Sequence, residues 1–217
     1  MRVKIKICCI ASEEEAEIAI SAGADALGLV AKMPSGPGPI SDDKIARIAA
    51  FVPPPVATFM LTSETTADAI ADHIGRTGPS TVQIVSHIEE SEAAKLAALT
   101  PHIRRVQVIH VENESVLDLI PVYAPHVHAF LLDSGRPNAA TPEFGGTGRA
   151  HDWAISRAFV EQSPKPVFLA GGLNVDNVAL AIRTVQPFGV DLCSGVRTND
   201  RLDPEKLAAF VAAVGGA

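Results

Sequence analysis

The feature that most limits the fold of this chain is an alternation that runs almost without interruption from one end to the other. Short runs rich in branched apolar residues give way to stretches with helical periodicity, and then return. Strand-like runs fall at 3–8, 25–31, 55–61, 80–85, 104–110, 127–132, 166–170 and 189–193. Between them, apolar residues recur at i, i+3, i+4 and i+7: Ile45, Ile48, Ala49 and Val52; Ala67, Ile70, Ala71 and Ile74; Val178, Ala181, Ile182 and Val185; Leu207, Phe210, Val211 and Val214. Each stripe marks one helix face that needs an apolar surface to cover. The punctuation agrees. Ser12 with Glu15 reads as a capping box, Asp203 before Pro204 as a cap ahead of a first-turn proline, and Pro53-Pro54-Pro55 as a helix stop. Strands separated by helices pair in parallel through right-handed crossovers, and eight such units in 217 residues predict one (β/α)8 barrel domain spanning 1–217. An open doubly wound sheet is the alternative.

Composition excludes several classes of function. With 47% hydrophobic and 20% charged residues, the chain has enough apolar surface to fold rather than remain disordered. Eighteen Lys and Arg against 25 Asp and Glu leave a net charge of −7, which opposes nucleic acid and acidic membrane surfaces as partners. No apolar run reaches the roughly 18 residues of a membrane span, and the first residues alternate charge with branched side chains instead of forming a signal-like apolar core. Three cysteines, Cys8, Cys9 and Cys193, form neither a disulfide framework nor a Cys-x-x-Cys pair, which suits a reducing cytoplasm. The seven histidines show no metal-ligand spacing, so metal catalysis is not expected.

In a barrel, chemistry belongs at the C-terminal ends of the strands and in the loops that follow. The two-residue period of the first strand puts Lys6 and Cys8 on the inward face, and Ile5, Ile7 and Cys9 toward the helices. Cys8 is then either a buried inert thiol or a base whose thiolate is favoured by the Lys6 ammonium. Asp133, closing the sixth strand, is either a loop cap or a catalytic acid. The two lie across the mouth from each other, so one can take a proton while the other gives one.

Glycine-rich turns follow the last strands: Gly145, Gly146 and Gly148 before a helix near Asp152-Trp153, Gly171 and Gly172 ahead of a helix near Asn174, and Ser194 with Gly195. Each is either a tight turn or a place where backbone N–H groups approach an anion, and barrels hold phosphate after strands seven and eight. Asp191 and Cys193 share the inward face of the last strand, beside the first. Asp191 reads as a core carboxylate or a support for the phosphate loop, Cys193 as a reduced neighbour of Cys8, and Trp153 as a packing anchor.

These residues resemble the phosphoribosylanthranilate isomerase family of tryptophan biosynthesis over nearly the whole chain. The resemblance rests on Lys6-Ile7-Cys8, on Ala22-Gly23-Ala24-Asp25-Ala26-Leu27-Gly28, on Val82-Gln83-Ile84, on Leu131-Leu132-Asp133 and on Gly145-Gly146-Thr147-Gly148 with Asp152-Trp153. It continues through Gly171-Gly172-Leu173-Asn174, Val190-Asp191 and Ser194-Gly195-Val196. It implies an Amadori rearrangement of a small phosphosugar amine that needs no metal or organic cofactor, with Cys8 as general base and Asp133 as general acid, by a monomer or homodimer. Lys6, Gln83, Asp191 and Arg197 would support the site.

Four positions depart from the family pattern. Cys9 stands for a glycine, and Gly38 for an arginine associated with the anthranilate carboxylate. Gln83-Ile84-Val85-Ser86 replaces Gln-Leu-His-Gly, and Arg197 replaces an acidic residue. The departures gather on the amine side of the pocket, where Arg197, Arg136 or Arg149 would have to supply a new cation. Three functions fit: the family reaction, a paralogous isomerase acting on another phosphoribosyl amine, or a non-catalytic phosphosugar-binding barrel.

Overall fold

The computed structural model describes residues 2–135 and 152–217. Its strands are β1 (Lys4–Ile7), β2 (Ala26–Val30), β3 (Ala57–Thr62), β4 (Thr81–Ile84), β5 (Arg104–His110), β6 (Ala129–Asp133), β7 (Val167–Leu169) and β8 (Gly189–Leu192). Between and after them come α1 (Glu13–Ser21), α2 (Asp42–Phe51), α3 (Ala67–Thr77), α4 (Glu90–Leu99), α5 (Leu119–Tyr123), α6 (Trp153–Gln162), α7 (Val178–Val185) and α8 (Pro204–Gly215). The eight strands close in sequence order, all parallel, and β1 meets β8 with Lys4 opposite Gly189 and Ile7 opposite Leu192. The barrel expectation is correct, and the open sheet is excluded.

The alternation of side chains sorts the core into two layers. Val30, Phe59, Leu61, Val85, Val106, Val108, Leu131 and Phe168 fill the barrel interior, while Ile5, Ile7, Leu27, Leu29, Met60, Val82 and Leu132 face the helices. The helical stripes read from the sequence supply the other half of that outer layer: Ile45, Ile48, Ile70, Ala181, Val185, Leu207 and Phe210 are buried. Each fully buried Val, Leu, Ile or Phe side chain contributes about 1.5–3 kcal/mol. Ser12 caps α1 by accepting from Glu15 N–H, Asp152 caps α6, and Asp203 caps α8 ahead of Pro204. Trp153 packs against the outer core, as a packing anchor should.

One start differs from the sequence reading. Asn174 does not open α7; its side-chain oxygen accepts from Asp176 N–H and Asn177 N–H, which makes a local turn, and the helix begins at Val178. Asparagine serves turns and caps by the same bonding, so sequence alone does not separate the two. Beyond β8, Ser194–Val196 forms a 3₁₀ turn, and a two-stranded ribbon follows, β9 (Arg197–Thr198) with β10 (Arg201–Leu202).

Candidate active site

Cys8 follows β1 directly and extends its pairing by one residue, its N–H donating to Leu192 C=O at 2.8 Å. Lys6 and Cys8 therefore point inward, as expected. On the neighbouring strand, Gly28 makes room for both: a Cβ at that position would lie 2.7 Å from Cys8 Sγ and 3.0 Å from Lys6 Nζ. This requirement is visible in the sequence only as a glycine at an inward position of an otherwise apolar strand.

Lys6 is fully buried, with Nζ 2.9 Å from Asp191 Oδ1 and 5.4 Å from the centroid of the Phe59 ring. Burial opposes its charge, but Asp191 and, less strongly, Cys8 outweigh that cost and hold its pKa above the ordinary lysine value. Asp191 is thus the counter-ion of Lys6. Its carboxylate, the Lys6 ammonium and Cys8 form one electrostatic unit under the mouth of the barrel.

Asp133 ends β6 on the opposite side, half-buried, with Oδ1 accepting from Ser134 N–H at 2.7 Å. Burial raises its pKa and Asp191 adds to the rise, against the Ser134 N–H and the Lys6 charge, and the carboxyl titrates at about 6. A carboxyl so placed keeps its proton much closer to neutrality than an exposed aspartate does.

Cys8 and Asp133 line the same cleft, which encloses about 740 Å³ with the space open to solvent included. Its apolar wall comes from Val30, Met33, Leu61, Val85 and Val108. Gln83 lies in the lining with its side-chain oxygen buried and without a hydrogen-bond partner among the described residues, an acceptor ready for a ligand hydroxyl. Gly171 and Gly172, both with left-handed backbone, and Ser194 form the opposite wall. Gly195 stands behind them against the Leu173 carbonyl, where a Cβ would come within 2.5 Å of the oxygen. Gly145, Gly146 and Gly148, with Arg136 and Arg149, lie outside the described residues.

A model of the N-(5'phosphoribosyl)anthranilate (PRA) isomerase family matches residues 5–213. The chain belongs to that family. The N-(5'-phosphoribosyl)anthranilate isomerase of Halobacterium salinarum is 36% identical over 211 residues, covering 96% of this chain and 94% of that protein. Among solved structures, the phosphoribosyl anthranilate isomerase of Thermotoga maritima superposes with a TM-score of 0.84 at 28% identity, covering 99% of this chain and 100% of that one. A phosphoribosyl anthranilate isomerase in complex with reduced 1-(o-carboxyphenylamino)-1-deoxyribulose 5-phosphate superposes with a TM-score of 0.81 at 26% identity, covering 99% and 100%.

Two positions that depart from the PRA isomerase pattern are in contact here, and one of them corrects the sequence reading. Cys9 does not face the helices. The chain leaves the sheet after Cys8, Cys9 adopts φ 63°, and its side chain turns onto the cleft, where the thiol donates to Pro37 C=O at 3.7 Å. Alternation holds only while a residue stays in the ladder. Gly38, at φ 78°, lies directly against it: a Cβ there would be 2.6 Å from Cys9 Cβ. The side chain that the family pattern lacks at position 9 occupies the space that a side chain at position 38 would need.

Arg197 is not a replacement cation for the cleft. Its guanidinium is held in a bidentate pair with Glu15, at 3.0 Å on each side, and also donates to the Cys9 and Asp200 carbonyls. Glu15 accepts in addition from Ala11 N–H and Leu202 N–H. Its pKa is lowered: burial opposes the charge, but Arg197 and these two N–H groups overcome it. The network fastens the β9–β10 ribbon to the loop carrying Cys9. Ser86, at the end of the altered Gln83-Ile84-Val85-Ser86 segment, donates to Ser63 C=O and so faces a loop neighbour. Among the described residues lining the cleft there is neither Lys nor Arg. Cys193 lines the cleft half-buried, as a reduced neighbour of Cys8 across the β1–β8 pairing, with Cys9 in the same lining.

Proposed function

We propose that Asp133 and Cys8 carry the isomerisation of N-(5'-phosphoribosyl)anthranilate, the activity of the family, as general acid and general base. The observation that supports this most directly is their convergence on one cleft, with a carboxyl that titrates at about 6 facing a thiol set above a buried ammonium. Asp133 gives its proton to the ribose ring oxygen as the C1–O bond opens, leaving an iminium at C1. Donation is available near neutrality because burial raises the pKa of Asp133, so that the carboxyl still carries a proton to give to the developing alkoxide. Cys8, as thiolate, takes the proton from C2, and the electron pair moves to form the enolamine, which becomes the ketone as C1 gains a proton and the C2 hydroxyl loses one. Lys6 supports the thiolate electrostatically and is itself held by Asp191.

The phosphate would lie against the backbone N–H groups of Gly171, Gly172, Ser194 and Gly195, since left-handed glycines and close backbone packing leave those groups open to an anion. Gln83 would accept from a sugar hydroxyl. The test follows the loss of phosphoribosylanthranilate fluorescence with pure protein: Cys8→Ser and Asp133→Asn are each expected to lower kcat by about 100- to 10,000-fold. Decay by wild-type protein no faster than by these variants would overturn the assignment.

A second reading, a paralogue whose amine carries no carboxylate, draws on Gly38 and on the absence of a cation among the described lining residues. A missing charge-assisted bond is worth about 1.5–3 kcal/mol, roughly one to two orders of magnitude in affinity. Comparing kcat/KM for phosphoribosylanthranilate with that for the phosphoribosyl adduct of aniline separates the two, since the family reaction requires a preference for the carboxylate.

A further inference from the structure

Three thiols meet at one side of the cleft, and the proposed reaction uses only Cys8. The parallel pairing of β1 with β8 places Ile7 opposite Leu192, and Cys8 N–H continues it onto Leu192 C=O. Cys8 and Cys193 therefore leave the sheet side by side, on strands about 4.8 Å apart, with Cys9 the next residue along the chain; a disulfide spans a Cα separation of about 4.4–6.8 Å. The left-handed backbone at Cys9 swings its thiol onto the cleft that Cys8 and Cys193 also line. Cys9 is buried, whereas Cys193 is half-exposed to the cleft and open to a small solute. Among the described residues, no group of three or more His, Cys, Asp or Glu is arranged to hold a metal ion. The remaining chemistry of adjacent thiols is redox chemistry.

The two thiols are also unequal. The neighbouring Cys9 thiol lowers the pKa of Cys193, against burial, and the nearby Arg197 charge lowers it further, against Asp191. The neighbouring Cys193 and Cys8 thiols, with burial, push Cys9 up. One partner is biased to be the attacking thiolate and the other to remain a thiol.

We propose that Cys9 and Cys193 are an oxidisable dithiol, a modification site at which a hydroperoxide closes a disulfide between the ends of β1 and β8 and disables the cleft. Cys193 thiolate attacks the terminal peroxide oxygen, the O–O bond breaks, and with one proton taken up hydroxide (or alkoxide) leaves as water (or alcohol) and Cys193 sulfenic acid remains. Cys9 sulfur then attacks the sulfenic sulfur, its proton departs with the hydroxyl as water, and the S–S bond forms. Two thiols are oxidised to one disulfide while one peroxide is reduced. Cys8 keeps its thiol, but the adjacent Cys9 is pulled toward β8, away from Pro37, and the base moves with it. The loss of activity rests on the reaction proposed above; the cross-link itself does not.

The test treats reduced, desalted protein with a few equivalents of hydrogen peroxide. It then reads free thiols, non-reduced peptide masses and isomerase activity before and after dithiothreitol. Titratable thiols should fall from three to one per chain, a Cys9–Cys193 peptide pair should appear, and activity should be lost and then restored by dithiothreitol. Cys193→Ser and, as a second variant that also relaxes the left-handed backbone, Cys9→Gly should keep most of their own untreated activity under the same treatment. Three remaining thiols, oxygen adducts on Cys8 without the cross-link, a disulfide involving Cys8, or a cross-linked protein of undiminished activity would each overturn the proposal. Absence of isomerase activity before oxidation would instead fault the reaction, with the cross-link still judged by mass.

Discussion

Replacing Asp133 by Asn should stabilise the protein while destroying its activity, and the size of the gain should depend on pH in a defined direction. The carboxyl titrates at about 6 in the folded chain against 3.8 when unperturbed, with burial as the main cause. Below pH 3.8 both states hold the proton, and the site costs nothing. Between 3.8 and about 6 the folded state keeps the proton while the unfolded state loses it, so stability falls as pH rises. Above about 6 the full cost is present, about 3 kcal/mol at pH 8 and about half of that at pH 5. Asparagine is neutral and nearly isosteric, and it retains an oxygen to accept the Ser134 N–H that now bonds Oδ1 at 2.7 Å. Urea unfolding of both proteins at pH 5 and pH 8 reads the difference, with the slopes checked for equality so that midpoints can be compared. The variant should unfold at higher urea at both values, with the larger margin at pH 8, and should show no isomerase activity at either. A margin independent of pH, or a variant less stable than wild type at pH 8, would refute the account of Asp133 as a desolvated acid.

Two further substitutions test how Cys8 is seated. Lys6→Met leaves Asp191 as an unpaired buried carboxylate and should cost about 3–5 kcal/mol in thermal or urea unfolding, most of it recovered by adding Asp191→Leu; failure of the second change to rescue would show that the ion pair is not the origin of the loss. Gly28→Ala places a Cβ 2.7 Å from Cys8 Sγ and 3.0 Å from Cys8 Cα. It should lower kcat at least tenfold in a protein whose circular dichroism remains native, and normal turnover would remove Gly28 from the support of the base.

The barrel was legible because it is written in two periods that short-range physics enforces, one of two residues in the strands and one of 3.6 in the helices. Cys8 and Asp133 were legible for a related reason: each lies at a strand end, where the inward direction carries over from the ladder. The same rule misplaced Cys9, one residue further on, since a left-handed residue outside the ladder no longer alternates. Arg197 was misjudged because its charge has meaning only through Glu15, 182 positions earlier in the chain. No periodicity links a helix cap to a ribbon beyond the last strand. The Lys6–Asp191 pair was half visible, since both residues fall on inward faces of strands that become neighbours only when the barrel closes.

The contact between Cys9 and Gly38 turns two departures from the family pattern into one physical change. With a Cβ at position 38 only 2.6 Å from Cys9 Cβ, and with φ 78° at that position, an arginine cannot be restored there while Cys9 keeps its side chain. Removing that side chain frees the space, because glycine accepts the φ of 63° at position 9 without the strain that a Cβ adds there. The cation and the third thiol therefore exclude each other on steric grounds. On the reading proposed above, Cys9 adds a thiol to the cleft that Cys193 also lines, at the point where the resemblance leads one to expect a fixed charge. If both proposals hold, Cys9→Gly combined with Gly38→Arg should remove the cross-link and raise kcat/KM for the carboxylate-bearing amine together, measured by peptide mass and by the fluorescence assay.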